Sequence, residues 1–444
     1  NSGGVNSSDV EVNIKIALAQ AMRSGSLARE DRNVLLAEMT DEVAKLVLAN
    51  NYEQTLALSV VQRRGLADLA HQARFMTMLE ARGLLDRAVE YLPSPAALAE
   101  RQSRGEPLTR AEIGVLLAYA KIVLFSDIVA SPLPDDPHFE ADLFGYFPAR
   151  MRETYAAEIR AHRLRREIIA TVVANELVNR GGPSFVSRHQ DATGRGPAEV
   201  VRAFEVARGG FGLPELYAGI DALDNRVDGQ AQLGFYEAVV RLLRVATAWL
   251  LKHGNPELPV GEALKALPGA RAAVEPALMA ILPPFTREKH EARRNGFAAA
   301  GAPARLAEQL ASLDVYELIP DIALVGRQAG VVAETAARAF FGVSEAFRIG
   351  RIEEAARAIQ PSDYYDGLAL SRANDMIGAA RRGIAISALA SFGTAADPVA
   401  AWIEAGGERI ARARERLQAL TEGGDITVSR LSVAAGLMAD LTGL

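Results

Sequence analysis

The sequence predicts an all-α fold, an irregular multi-helix bundle of about two packed helical subdomains with little or no β-sheet. Aromatic residues make up only 6% of the 444 residues, and no run alternates the β-branched and aromatic residues that strands favour. Apolar residues instead recur at helical spacing in many segments. Residues that begin or end helices separate these segments.

Helical periodicity is clearest in residues 236–252. The apolar residues there fall at i, i+3, i+4, i+7, i+10 and i+11, namely Val239, Leu242, Leu243, Ala246, Trp249 and Leu250. This spacing predicts a helix with one buried stripe. A second helix is predicted to end at Arg180, because Gly181-Gly182-Pro183 follows it. Thr109, followed by Glu112 at the third position, predicts a capping box.

Proline marks the candidate boundary between two helical subdomains. The segment Asn255–Pro284 contains Pro256, Pro259, Pro268, Pro276, Pro283 and Pro284. Each proline restricts its own φ and the conformation of the preceding residue, which opposes long helices. The sequence therefore predicts one helical subdomain over residues 25–254 and a second over residues 255–444.

Composition excludes several classes of protein. Lys and Arg number 49 against 55 Asp and Glu, a net charge of −6, which disfavours a dedicated nucleic-acid binder. The chain has no cysteine, which excludes disulfides, thiolate zinc sites and iron–sulfur clusters. Its apolar stretches are too short to span a membrane, and no signal peptide precedes them. We expect a cytoplasmic protein without nucleic-acid or membrane partners.

Motifs that bind cofactors or metals are not recognised. Gly210-Phe211-Gly212 begins like a dinucleotide-binding turn, but Glu215 stands where the third glycine belongs. The six histidines are scattered, with none at i, i+3 or i, i+4 from another, so no metal site is predicted.

One constellation of polar residues follows the predicted helix. Asn175 and Asn179 lie one turn apart, and Arg180 and Arg188 flank the diglycine. Asparagine is a mediocre helix former, so two on one face suggest that they satisfy other polar groups. A structural hydrogen-bond network or helix cap is one interpretation, and a ligand or partner site is the other.

The first eleven residues combine a helix start with a motif. Ser8 is predicted as an N-cap, and Glu11 three residues later completes a capping box. The pattern N-[AS]-G-G-V-x-x-S-x-x-E is matched by Asn1, Gly3, Gly4, Val5, Ser8 and Glu11. This motif resembles the segment near the end of the catalytic region in glutamate dehydrogenases and related amino-acid dehydrogenases.

The resemblance implies roles for three residues. Asn1 would lie beside the nicotinamide and the substrate, Val5 would line the pocket for the substrate side chain, and Ser8 would contact its distal carboxylate. Residues 1–24 would then be the end of the catalytic domain, a substrate-contacting turn followed by a terminal helix.

Five further segments are similar to the C-terminal region of the large bacterial NAD-specific glutamate dehydrogenases. They lie within the first 250 residues, at 33–43, 50–54, 108–113, 118–121 and 175–188. The resemblance implies that the parent protein is an oxidoreductase of amino-acid catabolism. It would convert L-glutamate, NAD and water to 2-oxoglutarate, ammonia and NADH.

In that family the dinucleotide-binding unit, the catalytic Lys and an acidic proton-transfer residue precede the motif. Here the chain starts at the motif, without an initiator Met. We therefore expect no catalytic residue in this chain and no activity from it alone. Its expected role is structural, packing on the dehydrogenase core and organising a homo-oligomer.

Two alternatives stay open. The first is a regulatory module in which residues 175–188, or the arginine-rich face at residues 160–166, hold an effector or a partner. The second is a helical nucleic-acid binder that uses residues 109–125 in a helix-turn-helix, which the net charge of −6 disfavours.

Overall fold

The computed structural model describes residues 3–361 and 364–442. Every regular element in these residues is a helix and none is a strand, which confirms the all-α prediction. None of these helices is long and apolar enough to cross a membrane.

The α-helices of the first half are α1 (Gly3–Arg23), α2 (Arg29–Glu38), α3 (Thr40–Arg64), α4 (Leu66–Ala81), α5 (Pro95–Arg104), α6 (Arg110–Val129), α7 (Glu140–Gly145), α8 (Ala149–Thr154), α9 (Ala156–Arg160), α10 (Arg165–Gly181), α11 (Phe185–Thr193), α12 (Pro197–Gly210) and α13 (Leu213–Asp221). Those of the second half are α14 (Gly229–His253), α15 (Val260–Ala263), α16 (Ala266–Val274), α17 (Leu278–Ile281), α18 (Pro284–Ala299), α19 (Ala304–Tyr316), α20 (Ile319–Ala329), α21 (Ala333–Ala346), α22 (Ile349–Ala358), α23 (Tyr364–Phe392), α24 (Pro398–Ala405), α25 (Gly407–Glu422) and α26 (Val428–Ala439). Short 3-10 turns occupy Leu133–Asp135, Pro137–Phe139 and Glu275–Ala277.

The described residues form two compact units. Unit 1 comprises those of Asn1–Gly209 and Gln232–Leu264, and unit 2 comprises those of Gly210–Ala231 and Lys265–Leu444. The last passage from unit 1 to unit 2 therefore lies within the proline-rich segment. The predicted functional domains, 1–24, 25–254 and 255–444, remain a prediction.

The core of unit 1 surrounds α10. This helix packs against α6, α3 and α7, and its residues Ile169, Val173 and Leu177 are at most 1% exposed. Helix α14 buries Val239, Leu242, Leu243 and Ala246 completely, as its periodicity predicts. Apolar stripes at helical spacing thus place both helices against the core.

The observed helix ends agree with the predicted ones to within one residue at two positions and differ at a third. The capping box of Thr109 and Glu112 is present, and α10 ends at Gly181, one residue after the predicted end at Arg180. The capping box predicted for Ser8 and Glu11 is wrong, because α1 already begins at Gly3 and Ser8 lies inside it. Amide groups inside a helix bond to carbonyls four residues earlier and need no side-chain cap.

The core of unit 2 is organised by α23, which packs on α26, α24, α21 and α20. Ile377, Ile384 and Ala388 of α23 are at most 1% exposed. On α26, Leu431 and Met438 are fully buried. The long α23 therefore provides the surface on which the shorter helices of unit 2 assemble.

Candidate functional site

Helix α1 is fixed to unit 1 along one face. Val10, Ile14 and Leu18 of α1 are at most 2% exposed. Their spacing of four residues aligns them in one stripe. The helix packs on α3 and α9 through this stripe.

Polar contacts also hold the same helix. The Asn13 side chain donates a hydrogen bond to the Tyr146 hydroxyl at 2.9 Å, and that hydroxyl donates to Asp9 at 2.6 Å. His162 Nε2 lies 3.1 Å from the Asn13 carbonyl, and Nδ1 of the same ring accepts from the Leu164 amide. Burial lowers the pKa of His162, so the neutral imidazole donates through Nε2. These contacts fix the rotation of α1 as well as its position.

The opposite face of α1 is exposed and carries two of the predicted substrate-contacting residues. Val5 is 68% exposed and Val12 is 50% exposed, and Ser8 between them is also exposed. Positions i, i+3 and i+7 lie on one face of a helix. Val5 and Ser8 thus share an exposed face, while Asn1, the third predicted contact, lies outside the described residues.

Arg188 of the predicted constellation belongs to a cluster around one carboxylate. We call Arg64, Asp68, Arg188 and Arg244 the Asp68 cluster. Asp68 is 2% exposed, and its oxygens lie 2.7 Å from Arg64, 3.1 Å from Arg244 and 3.6 Å from Arg188. Helices α3, α4, α11 and α14 contribute one member each. Three cations therefore converge on a single buried carboxylate.

Burial and this excess of positive charge together shift the pKa values of Asp68 and Arg188. Burial alone would raise the pKa of Asp68, but the charge of Arg244 and the hydrogen bond from Arg64 hold it well below its usual range. Burial and the neighbouring charge of Arg244 lower the pKa of Arg188 to about 9. The Arg188 guanidinium makes no hydrogen bond to another described residue, in contrast to Arg64 and Arg244.

The diglycine turn beside this cluster requires residues without side chains. A Cβ on Gly181 would lie 2.4 Å from the Phe185 ring, and Gly182 has a φ of 90°. Arg244 Nη2 donates to the Gly181 carbonyl at 3.3 Å. The Asp68 cluster thus also fixes the end of α10.

Arg180 lies in a different network from Arg188. Its guanidinium contacts Glu53 at 3.4 Å and Glu176 at 3.5 Å. Glu176 also contacts Arg208 at 3.8 Å, and Arg208 pairs with the buried Glu205 at 2.8 Å. The structure therefore divides the predicted constellation between two sets of ion pairs.

The two asparagines of the constellation also differ from each other. Asn179 Oδ1 is buried and has no hydrogen-bond partner among the described residues. Asn175 instead lines a shallow cavity of about 230 Å³ together with Lys121. Burial lowers the pKa of Lys121 to about 8, although the charge of Glu53 opposes this shift. Whether the constellation binds a ligand remains a prediction.

Only one local pattern in the sequence indicates the Asp68 cluster. Arg64 and Asp68 form an i, i+4 pair, which a search for helical ion pairs detects. Arg244 is 176 residues from Asp68, so only the tertiary fold brings it there.

The arginine-rich face at residues 160–166 consists of ion pairs near the surface. Arg160 pairs with Glu140 at 2.8 Å, and Arg165 and Arg166 both pair with Asp135. These side chains are 36–57% exposed, as expected for a solvated face.

Known proteins match both ends of the chain. A family profile described as "Bacterial NAD-glutamate dehydrogenase, catalytic domain" matches residues 1–61, and one described as "Glutamate dehydrogenase, C-terminal" matches residues 105–440. The second match extends well beyond the segments that carry the resemblance in the sequence.

Three similar proteins are each called NAD-specific glutamate dehydrogenase. The protein from Pseudomonas aeruginosa is 39% identical over 88% of this chain and 24% of its own length. The Halomonas elongata protein is 38% identical over 77% of this chain and 21% of its own length. The Mycobacterium tuberculosis protein is 30% identical over 98% of this chain and 27% of its own length.

This chain thus spans about a quarter of the length of these relatives. The resemblance to the large bacterial NAD-specific glutamate dehydrogenases is confirmed. Because the match to the C-terminal profile covers most of the chain, the chain belongs to the glutamate dehydrogenase C-terminal family.

Proposed function

We propose that this chain is part of an NAD-dependent glutamate dehydrogenase. In that enzyme L-glutamate is oxidatively deaminated to 2-oxoglutarate and ammonia, with NAD accepting the hydride. The names of the three relatives support this reaction and this cofactor. The proposed enzyme acts in the cytoplasm, without nucleic-acid or membrane partners.

Within the enzyme, the proposed role of these residues is structural. They pack on the dehydrogenase core, organise a homo-oligomer and hold α1 against the substrate site. The observation that carries this proposal is the two-sided character of α1. One face is buried in unit 1 around Ile14, and the other exposes Val5, Ser8 and Val12. The proposed occupant of the exposed face is the remainder of the catalytic domain, since the catalytic-domain profile matches residues 1–61.

NAD does not fit the described residues by themselves. Its pyrophosphate is usually held where a strand turns into a helix, and the described residues form only helices. Asn1, the predicted neighbour of the nicotinamide, lies outside them. The proposal therefore assigns NAD binding mainly to the rest of the longer enzyme. In this chain, Val5 and Ser8 would orient the substrate from the exposed face of α1.

An activity assay tests whether catalysis requires the rest of the longer enzyme. The purified 444-residue chain is expected to produce no NADH from L-glutamate and NAD, whereas the longer enzyme that includes it turns over. The physical reason is that hydride transfer depends on the cofactor and on the groups that orient it. Turnover by the chain near the rate of the longer enzyme would overturn the proposal.

A regulatory role is the second candidate, and one observation favours it. Arg188 is one of three cations around the single carboxylate of Asp68, and its guanidinium makes no hydrogen bond to another described residue. An acidic effector or partner would balance this charge. Thermal-shift measurements with amino acids and nucleotides discriminate the two roles, because a ligand that binds the native state raises its stability. Stabilisation that an Arg188→Gln variant loses would favour regulation.

A further inference from the structure

Unit 2 contains a cavity that neither the catalytic chemistry nor the role of α1 uses. It has a volume of about 380 Å³ and lies among α18, α19, α21, α22 and α23. Phe285 and Phe341 form part of its wall, beside Thr286 and Ser344. Its size is in the range of pockets that hold small molecules. We call it the unit 2 cavity.

Seven of the seventeen residues in the wall of this cavity are charged. The basic ones are Lys289, Arg293, Arg357 and Arg381, and the acidic ones are Asp314, Glu353 and Glu354. His290 also lines the cavity, and burial lowers its pKa, which favours the neutral ring. The lining therefore carries four positive and three negative charges at neutral pH, an excess of one positive charge.

Ion pairs connect these groups, including Arg293 with Asp314 and Arg357 with the neighbouring Glu317. Lys289 contacts Glu354 at 3.0 Å, and Arg357 contacts Glu354 and Asp314 at 3.6 Å each. Burial opposes ionisation of Glu354, yet the hydrogen bond and charge of Lys289 keep its pKa below the usual value. Glu354 is thus already shared between two cations.

Arg381 is the buried cation of the set. It is 3% exposed, and its guanidinium lies 4.2 Å from the centre of the Phe340 ring. One nitrogen contacts Glu353 at 3.0 Å, and another reaches Ser344 only at 3.5 Å. Nε has no hydrogen-bond partner among the described residues. A buried guanidinium with unused donors is costly unless an acceptor satisfies it.

A second cavity adjoins the first and is also lined by charged side chains. Its volume is about 560 Å³, and it shares Phe285, Thr286, Ser344 and Gly350 with the unit 2 cavity. Its wall adds two glutamates, Glu345 and Glu415, and three arginines, Arg348, Arg351 and Arg414. Arg348 has a φ of 56°, a left-handed conformation that is uncommon outside glycine and concentrates at functional sites.

We propose that the unit 2 cavity binds a small organic anion through its carboxylate or phosphate group. Arg381 supplies the buried donor, Lys289 adds positive charge at the edge, and the Phe285 ring contacts the apolar part. Carboxylate and phosphate share the oxygen acceptors that match the donors of a guanidinium. This site is independent of the exposed face of α1.

Calorimetric titration of the 444-residue chain tests the proposal. Sodium phosphate and sodium succinate serve as probes of the two oxyanions, with sodium chloride at equal ionic strength as the reference. Saturable binding near one equivalent is expected for at least one probe. Saturation by phosphate alone, succinate alone or both identifies the preferred group. Heats equal to those of sodium chloride for both probes overturn the proposal.

Three variants locate the binding. Arg381→Gln is expected to weaken it about ten-fold or more, because a charged hydrogen bond is lost in a buried site. Lys289→Gln removes the charge of a side chain that is 47% exposed and should weaken binding about three-fold, while folding normally. Arg338→Gln, whose side chain is 57% exposed on α21, is the matched control and should bind as wild type. Unchanged affinity in the Lys289 variant and in a folded Arg381 variant would place the anion elsewhere.

Discussion

An Asp68→Asn variant of the 444-residue chain is expected to lose about 3–5 kcal/mol of unfolding free energy, the usual cost of removing one partner from a buried ion pair. Asp68 is 2% exposed, and Arg64, Arg188 and Arg244 converge on it. The amide would leave three largely buried cations without their shared anion. Urea unfolding followed by circular dichroism measures the loss.

Asp191→Asn is the matched control for this prediction. Asp191 pairs with Arg74 at 2.8 Å, and their side chains are 38% and 42% exposed. An exposed ion pair contributes about 1 kcal/mol or less, so this variant should unfold close to wild type. If the two variants lose equal stability, the Asp68 cluster does not stabilise unit 1 as argued.

The pH dependence follows from the direction of the Asp68 shift. The folded protein holds the pKa of this carboxyl below its usual range, so the unfolded chain takes up its proton first as the pH falls. The stabilisation is fully present above the unfolded pKa of about 4 and is lost as the pH falls toward the folded value. The difference between wild type and Asp68→Asn should therefore be constant from about pH 6 to pH 8 and shrink in strong acid.

The second large effect is expected from Ile14→Ala. Ile14 is 1% exposed and anchors α1 to unit 1. Replacing a buried isoleucine by alanine costs about 2–5 kcal/mol, because it removes apolar contacts and leaves a cavity. Val12→Ala, on the exposed face of the same helix, should change the stability of the chain by no more than about 0.5 kcal/mol. Thermal unfolding of both variants provides the comparison.

In the longer enzyme, Ile14→Ala should also reduce catalysis. Val5 and Ser8 share helix α1 with Ile14, so a loosened helix misplaces them against the substrate. A misplacement of this kind lowers kcat/KM for L-glutamate by about ten-fold or more. If a variant with a loosened α1 kept the wild-type kcat/KM, the helical region would not position the substrate.

Local signals predicted much of the fold. The buried stripe of α14 and the capping box at Thr109 depend on residues close in the sequence, which a single sequence displays. Short helices such as Val260–Ala263 and Leu278–Ile281 contain too few residues for a periodic pattern. The pattern of Ser8 and Glu11 predicts a start for α1 that is too late, because these residue types fit a capping box wherever the helix begins.

The candidate sites were predicted less completely, for a physical reason. The motif at Val5 and Ser8 is contiguous in sequence, so resemblance can find it. The Asp68 cluster joins residues as far apart as Asp68 and Arg244. The unit 2 cavity likewise draws its wall from five helices. Such sites arise from tertiary packing, which charge counts along the sequence do not reveal.

Cysteine labelling tests most directly whether α1 joins the helical region to the catalytic core. The chain has no cysteine, so a Val12→Cys variant introduces a single thiol on the exposed face, where Val12 is 50% exposed. Its alkylation, followed by mass spectrometry of the peptide that contains it, is compared between the 444-residue chain and the longer enzyme. Accessible thiols react faster than buried ones. We predict rapid labelling in the chain and labelling about ten-fold slower in the longer enzyme. Equal rates in both would contradict the proposed interface.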